Sequence, residues 1–267
     1  MGFMGFAYIV SGLSVGFLVG LTGVGGGSLM TPLLVFIFGF APTTAVGTDL
    51  LFASLTKAGG VAVHHGTHGS VDWKIVRHLC MGSIPAALAV VIGLEFLDVD
   101  KKTISQVMTL ALGIALILTA LALFFRNRLM KASLEIDSHN PGRFERWQTP
   151  ATVLTGFVLG VLVTLSSIGA GALGTVALFY LYPRLSTIRI VGTDLAHAIP
   201  LTAVAGLGHL HMGNVDFALL GSLLIGSLPG IYLGSHLSAK IPEYVLRPIL
   251  ASVLMLIGAK FVWPLMA

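Results

Sequence analysis

Long apolar runs, broken by glycine and proline rather than by charge, set the pattern of this chain. From Met1 to Thr48 there is no Asp, Glu, Lys or Arg. A bilayer core is crossed by about 20 helical residues, so this run must cross, turn back and cross again. Gly23, Gly25, Gly26, Gly27, Pro32, Gly39 and Pro42 supply the turning places. Trp147 to Pro183 is a second uncharged run too long for one crossing, and 78–94, 103–125, 195–215 and 217–239 are uncharged blocks of spanning size. The pattern predicts about ten helical segments. Five lie near 4–22, 28–39, 45–64, 75–97 and 103–125, and five near 151–166, 171–182, 190–209, 216–237 and 244–264. The second segment of each set is about 12 residues, or about 18 Å of helix, too short to span alone.

The two sets repeat one another. Val46-Gly47-Thr48-Asp49-Leu50 recurs as Val191-Gly192-Thr193-Asp194-Leu195, Gly69-Ser70-Val71-Asp72 as Gly213-Asn214-Val215-Asp216, and Gly82-Ser83-Ile84-Pro85 as Gly226-Ser227-Leu228-Pro229. Leu21-Thr22-Gly23-Val24-Gly25-Gly26-Gly27 has a weaker echo in Leu165-Ser166-Ser167-Ile168-Gly169-Ala170-Gly171, and Gly12 and Gly16 match Gly156 and Gly160. The offset stays at 144 or 145 residues throughout, which marks an internal duplication. Residues 1–125 form the first repeat, 151–267 the second, and 126–150 a polar linker holding Arg126, Arg128, Lys131, Arg143 and Arg146. Basic loops stay cytoplasmic, so the linker is placed inside. Five segments per half then turn the second repeat upside down. On that layout Lys74, Arg77, the linker bases, Arg184, Arg189, Lys240 and Arg247 fall inside, against Lys101, Lys102 and Lys260 outside. The fold expected is an all-α membrane protein of two inverted five-segment repeats with short broken helices.

Composition agrees. The hydrophobic fraction is 55% and the charged fraction 10% of 267 residues, against about 25% charged in ordinary globular chains, and mean hydropathy is +0.95. The first segment lacks a basic n-region and a small-residue cleavage site, and reads as a retained helix rather than a signal peptide. One cysteine, Cys80, excludes an internal disulfide and a cysteine metal cage. The basic excess concerns topology, not nucleic acid. No Gly-x-x-x-x-Gly-Lys loop is present, which excludes direct ATP drive by this chain.

Chemistry concentrates at the breaks. Gly25, Gly26 and Gly27 leave N–H groups unshielded ahead of a helix near Ser28, an arrangement that attracts anions without a permanent charge. Ser166, Ser167, Gly169 and Gly171 form the matching loop; close helix packing is the alternative reading of these glycines. Thr48 and Thr193 are expected to face substrate as hydroxyl donors. Asp49 and Asp194 read either as N-caps just ahead of apolar helices or as proton carriers inside the membrane. Lys57 either completes an anion site or snorkels to the interface. His65 and His209 correspond at the 144 offset, within a group that also holds His64, His68 and His211, and read as interface or gating residues, with metal ligation the alternative. His197 lies one turn beyond Asp194 and offers a relay partner for it. Pro85 and Pro229 are expected to kink the fourth segments, with Ser83 and Ser227 satisfying the freed backbone groups.

These residues resemble those of the sulfite exporter TauE/SafE family of membrane transporters. The resemblance rests on Gly23 to Gly27 with Pro32, on Ala45-Val46-Gly47-Thr48, and on Phe52 to Trp73 with its paired histidines and Gly-x-Val-Asp-Trp ending. It implies a carrier of sulfite, sulfonates or related sulfur-containing or organic anions in the bacterial inner membrane. The expectation is therefore a secondary transporter, an exporter working by alternating access, with a small anion and the lipid bilayer as partners and proton coupling at an acid. No enzyme activity, cofactor, metal or nucleic acid is expected. An anion channel and a histidine-based membrane metalloenzyme are the alternatives.

Overall fold

The computed structural model describes residues 3–22, 27–65, 71–96, 100–139, 141–238 and 243–266. These residues form helices and short connections, with no strand among them. The helices are α1 (Phe3–Thr22), α2 (Gly27–Phe36), α3 (Pro42–His65), α4 (Trp73–Phe96), α5 (Lys101–His139), α6 (Pro141–Ser166), α7 (Ala172–Leu181), α8 (Thr187–His211), α9 (Phe217–Ser238) and α10 (Glu243–Met266). Six are long and apolar enough to cross a membrane: Met4–Leu21, Trp73–Phe96, Lys101–Glu135, Glu145–Ser166, Thr187–His211 and Phe217–Gly234. The protein is an all-helical, multi-pass membrane protein.

Four helices differ most in their boundaries from the sequence reading. α5 and α6 run on into the polar 126–150 stretch, because Arg, Leu, Met, Lys, Ala and Glu there are all good helix formers. α3 and α8 start earlier than expected, at Pro42 and Thr187. Proline suits a first helical position, and Ser186 caps α8 by accepting the Arg189 N–H. Acids cap three other helices. Asp72 accepts from the Lys74 and Ile75 amides at α4, Asp216 from Leu219 at α9, and Asp100 from Thr103 at α5. The Thr103 hydroxyl and amide hold the exposed Asp100 carboxyl below the usual range.

Large apolar side chains cover the outside of the bundle as well as filling its inside. On α5, Val107, Leu110, Ile114, Leu118 and Leu121 are exposed, while Met108, Leu112, Ala115 and Leu116 are buried. A helix apolar on every face belongs in lipid or in a large core.

Packing crosses between the halves. α1 lies on α9, and their counterparts α6 and α4 lie on each other. Glycine permits both close approaches. A Cβ at Gly226 would stand 1.9 Å from the Ile9 carbonyl oxygen, and one at Gly82, its counterpart, 2.0 Å from that of Val153. Successive contacts of Gly226, Gly230 and Gly234 with Ile9, Leu13 and Phe17 show α1 and α9 running parallel. Two pairs of corresponding helices, α3 with α8 and α5 with α10, run antiparallel instead. Along α3 and α8, Gly47 meets His209 and Asn214 while Leu51 meets Gly206, and the Ser54 hydroxyl donates to the Ile199 carbonyl (3.4 Å). Along α5 and α10, Gly113 and Gly258 touch. Ser54 and Ile199, like Gly113 and Gly258, are separated by the repeat offset of 145, so each residue meets its own counterpart.

Candidate functional site

The bundle's centre is polar. Thr31, Thr48, Asp49, Lys57, Ser83, Ser166, Ser167, Thr175, Thr193, Asp194, His197 and His209 are all buried. Because α3 and α8 begin at Pro42 and Thr187, Asp49 and Asp194 lie two turns inside their helices. N-capping is thereby excluded for both. Each carboxylate meets a threonine of a short helix instead. The Thr31 hydroxyl of α2 donates to Asp49 Oδ2 (2.5 Å), and the Thr175 hydroxyl of α7 lies 3.0 Å from Asp194 Oδ2 and against the Gly171 carbonyl. The other oxygen of each carboxylate has no hydrogen-bond partner. Ser167 lies beside Asp49 without completing a bond of good geometry.

Thr48 and Thr193 face the other half of the chain. Thr48 Oγ1 accepts the Asp216 N–H (3.0 Å) and Thr193 Oγ1 accepts the Asp72 N–H (2.9 Å). Each pins the start of the opposite half's fourth helix. On one side only, Arg189 adds an ion pair to Asp72 (3.2 Å).

The second broken segment is fully described. α6 ends at Ser166, whose hydroxyl accepts the Ile168 N–H (3.1 Å). Ser167 has φ of 60°, and Gly169 and Gly171 have φ of 124° and 127°. Glycine adopts the last two conformations without the steric penalty a Cβ would bring. Gly171 stands at the N-cap of α7 with no side-chain cap. The Gly174 and Thr175 amides bond back to the Gly169 and Gly171 carbonyls (both 3.1 Å). Among the described residues, the amides of Gly169, Ala170, Gly171, Ala172 and Leu173 have no hydrogen-bond acceptor. All but Leu173 are buried.

Lys57 reaches this loop. Its side chain is 5% exposed and its ammonium donates to the Ala170 carbonyl (2.9 Å), so it does not snorkel. Asp49, Asp194 and His197 lie within its electrostatic reach, with neither carboxylate paired to it at bonding distance. Thr202, at the corresponding place in the second half, turns its hydroxyl to the Ala198 carbonyl of its own helix.

His197 and His209 are buried rather than interfacial, whereas His211 is exposed and lies 3.2 Å from Glu95. His197 pairs with the Ser83 hydroxyl through Nε2 (2.8 Å) and not with Asp194. Ser83 is therefore occupied across the halves and does not serve the backbone freed by Pro85. His209 meets the Thr164 carbonyl through Nε2 (2.9 Å). Gly25, Gly26 and the side chain of His65 lie outside the described residues, and Gly27 opens α2. Sequence reasoning missed Thr31 and Thr175. Their signal was the same 144 offset, with Leu29 and Leu173 two residues before them.

The family described as Sulfite exporter TauE/SafE matches residues 8–261. "Probable membrane transporter protein YjnA" of Bacillus subtilis is 39% identical over 266 residues, covering 97% of this chain and 100% of that one. "Probable membrane transporter protein YdhB" of the same organism is 27% identical over 91% of this chain and 96% of its own length. A "Probable membrane transporter protein" of Methanocaldococcus jannaschii is 28% identical over 94% and 92%. No solved structure matches.

Proposed function

This chain belongs to the sulfite exporter TauE/SafE family of membrane transporters, and we propose that it is a secondary transporter exporting a small anion across the bacterial inner membrane. The substrate class is an oxidised sulfur anion such as sulfite or a sulfonate, or a small organic acid. Two inverted halves alternate access to a centre built by α2, α3, α7, α8 and the loop 167–171.

One observation carries this reading. Buried backbone amides are almost always paired, and the first amides of a helix are served by side chains, by water or by a ligand. Here consecutive residues whose amides find no acceptor among the described residues lie at the start of α7, where the Lys57 ammonium donates to the Ala170 carbonyl. Amides, a helix N-terminus and one ammonium together favour negative charge. The antiparallel run of α3 against α8 and α5 against α10 supports the inverted arrangement, because repeats related by an axis in the membrane plane reverse their counterpart helices.

The test is ligand-dependent thermal stabilisation of the purified protein with sulfite, sulfate, thiosulfate, sulfonates and small carboxylates, followed by counterflow in proteoliposomes. Saturable counterflow of a stabilising anion is expected. Flux that neither saturates nor shows counterflow would replace the carrier with an anion channel.

A further inference from the structure

Lys57 has a second polar neighbour besides the loop 167–171. Ser54 of α3 meets Ile199 of α8, and the two helices run antiparallel. Three residues further along α3, Lys57 therefore comes level with residue 196, next to His197. The imidazole lies within electrostatic reach of the ammonium, and the ammonium lies on the Ala170 carbonyl of the loop (2.9 Å). His197 is fully buried, with Nε2 at 2.8 Å from the Ser83 hydroxyl and Nδ1 without a hydrogen-bond partner. A buried polar atom left unpaired is costly, and in a binding site the ligand removes that cost.

An anion without a proton only accepts hydrogen bonds, so a ring nitrogen that binds it must carry a proton. A serine hydroxyl can donate or accept. When Ser83 donates to Nε2, the neutral ring keeps its proton on Nδ1 and presents a donor there. Resting on the anion-carrier reading above, we propose that His197, held in the Nδ1–H tautomer by Ser83, is a substrate-binding residue that donates to one oxygen of the bound anion. Lys57 meets a second oxygen and the loop amides a third. These donors arrive from α8, α3 and the start of α7, and three directions match the three terminal oxygens of sulfite or a sulfonate. A carboxylate has two oxygens and leaves one donor buried without an acceptor. His197 thus favours oxidised sulfur over a carboxylic acid, as a site built to hydrogen-bond a group rejects the analogue lacking it.

The repeat itself marks this spot. His197 has Ala53 and Phe52 at the 144 and 145 offsets, and Lys57 has Thr202 at 145. The two halves therefore part company at two positions that lie side by side, and at both the extra group can donate to an anion. The other buried histidine differs in its tautomer. His209 Nε2 faces the Thr164 carbonyl (2.9 Å), which only accepts, so that ring carries its proton on Nε2.

The experiment titrates sulfite, methanesulfonate and acetate against the unfolding temperature of the purified full-length protein. His197→Gln sets an amide near the place of Nε2, in reach of Ser83, and leaves nothing at Nδ1. His197→Asn sets its amide nitrogen near the place of Nδ1 and gives up Ser83. The sulfite concentration needed for half the stabilisation should rise at least about tenfold in His197→Gln, and His197→Asn should recover most of that loss. The wild type should respond to methanesulfonate at lower concentration than to acetate, and His197→Gln should narrow that gap. A merely structural Ser83–His197 pair predicts the reverse order of the two variants. Wild-type sulfite affinity in His197→Gln, equal losses in both variants, or an unchanged gap would overturn the assignment alone. Should neither variant fold, nitrogen NMR of histidine-labelled wild type in lipid carries the test. A neutral Nδ1–H imidazole that shifts when sulfite is added is expected, and its absence would overturn the assignment. Wild-type protein stabilised by none of the three anions would overturn the anion-carrier reading and this inference with it.

Discussion

Ser167 adopts a left-handed conformation that costs a residue with a Cβ about 1–2 kcal/mol, and its counterpart in the first half is Gly23. Ser167→Gly should therefore raise the unfolding temperature by a few degrees at most. Replacement by a β-branched residue such as valine should lower the yield of folded protein. Lys57→Met keeps the side chain's length and removes its charge. Anion-dependent stabilisation should then require at least about tenfold more ligand, a loss of about 1.4 kcal/mol, as read by thermal shift across a titration. Unchanged ligand dependence in Lys57→Met would remove the ammonium from the site. At this scale the sequence exposed the right residue types but not their partners. Lys57 looked free to snorkel because its acceptor, Ala170, lies in the other half. Ser83 looked like a backbone partner for Pro85 because its true partner, His197, is equally distant in the chain.

Helices were legible where hydrophobic runs were interrupted, and less so where a polar stretch continued one. The break between α6 and α7 falls at the serine- and glycine-containing loop the sequence singled out, since Gly169 and Gly171 are needed there for backbone reasons. The early starts of α3 and α8 were signalled by Pro42 and by Ser186, and passing over those signals turned Asp49 and Asp194 into apparent caps. Glycine at the α4–α6 contact has a different role, that of letting backbones touch. Gly82→Val should force the two helices apart and reduce the amount of folded, monodisperse protein. Gly221→Ala on α9, where nothing lies within 4 Å of the added carbon, should be neutral or gain about 0.5–1 kcal/mol. Equal behaviour of the two variants in size-exclusion yield would contradict the packing account.

Across the whole molecule, the repeat at 144 or 145 residues announced that two halves exist, and the charge bias of the loops suggested their opposite orientation. What the sequence could not show is how they interlock, because that depends on contacts between halves. Thr48 and Thr193 exchange bonds with Asp216 and Asp72, and α1 crosses to α9 as α6 does to α4. Alternating access of this kind requires the halves to lie upside down relative to each other. Lys74 and Ala218, exposed at the starts of α4 and α9, are counterparts at the 144 offset. With Cys80 replaced by serine, single cysteines at 74 and 218 can be labelled in cells and inverted vesicles with a membrane-impermeant maleimide. Opposite orientation predicts that position 74 reacts only from the cytoplasm and position 218 only from outside; labelling of both from the same face would contradict it.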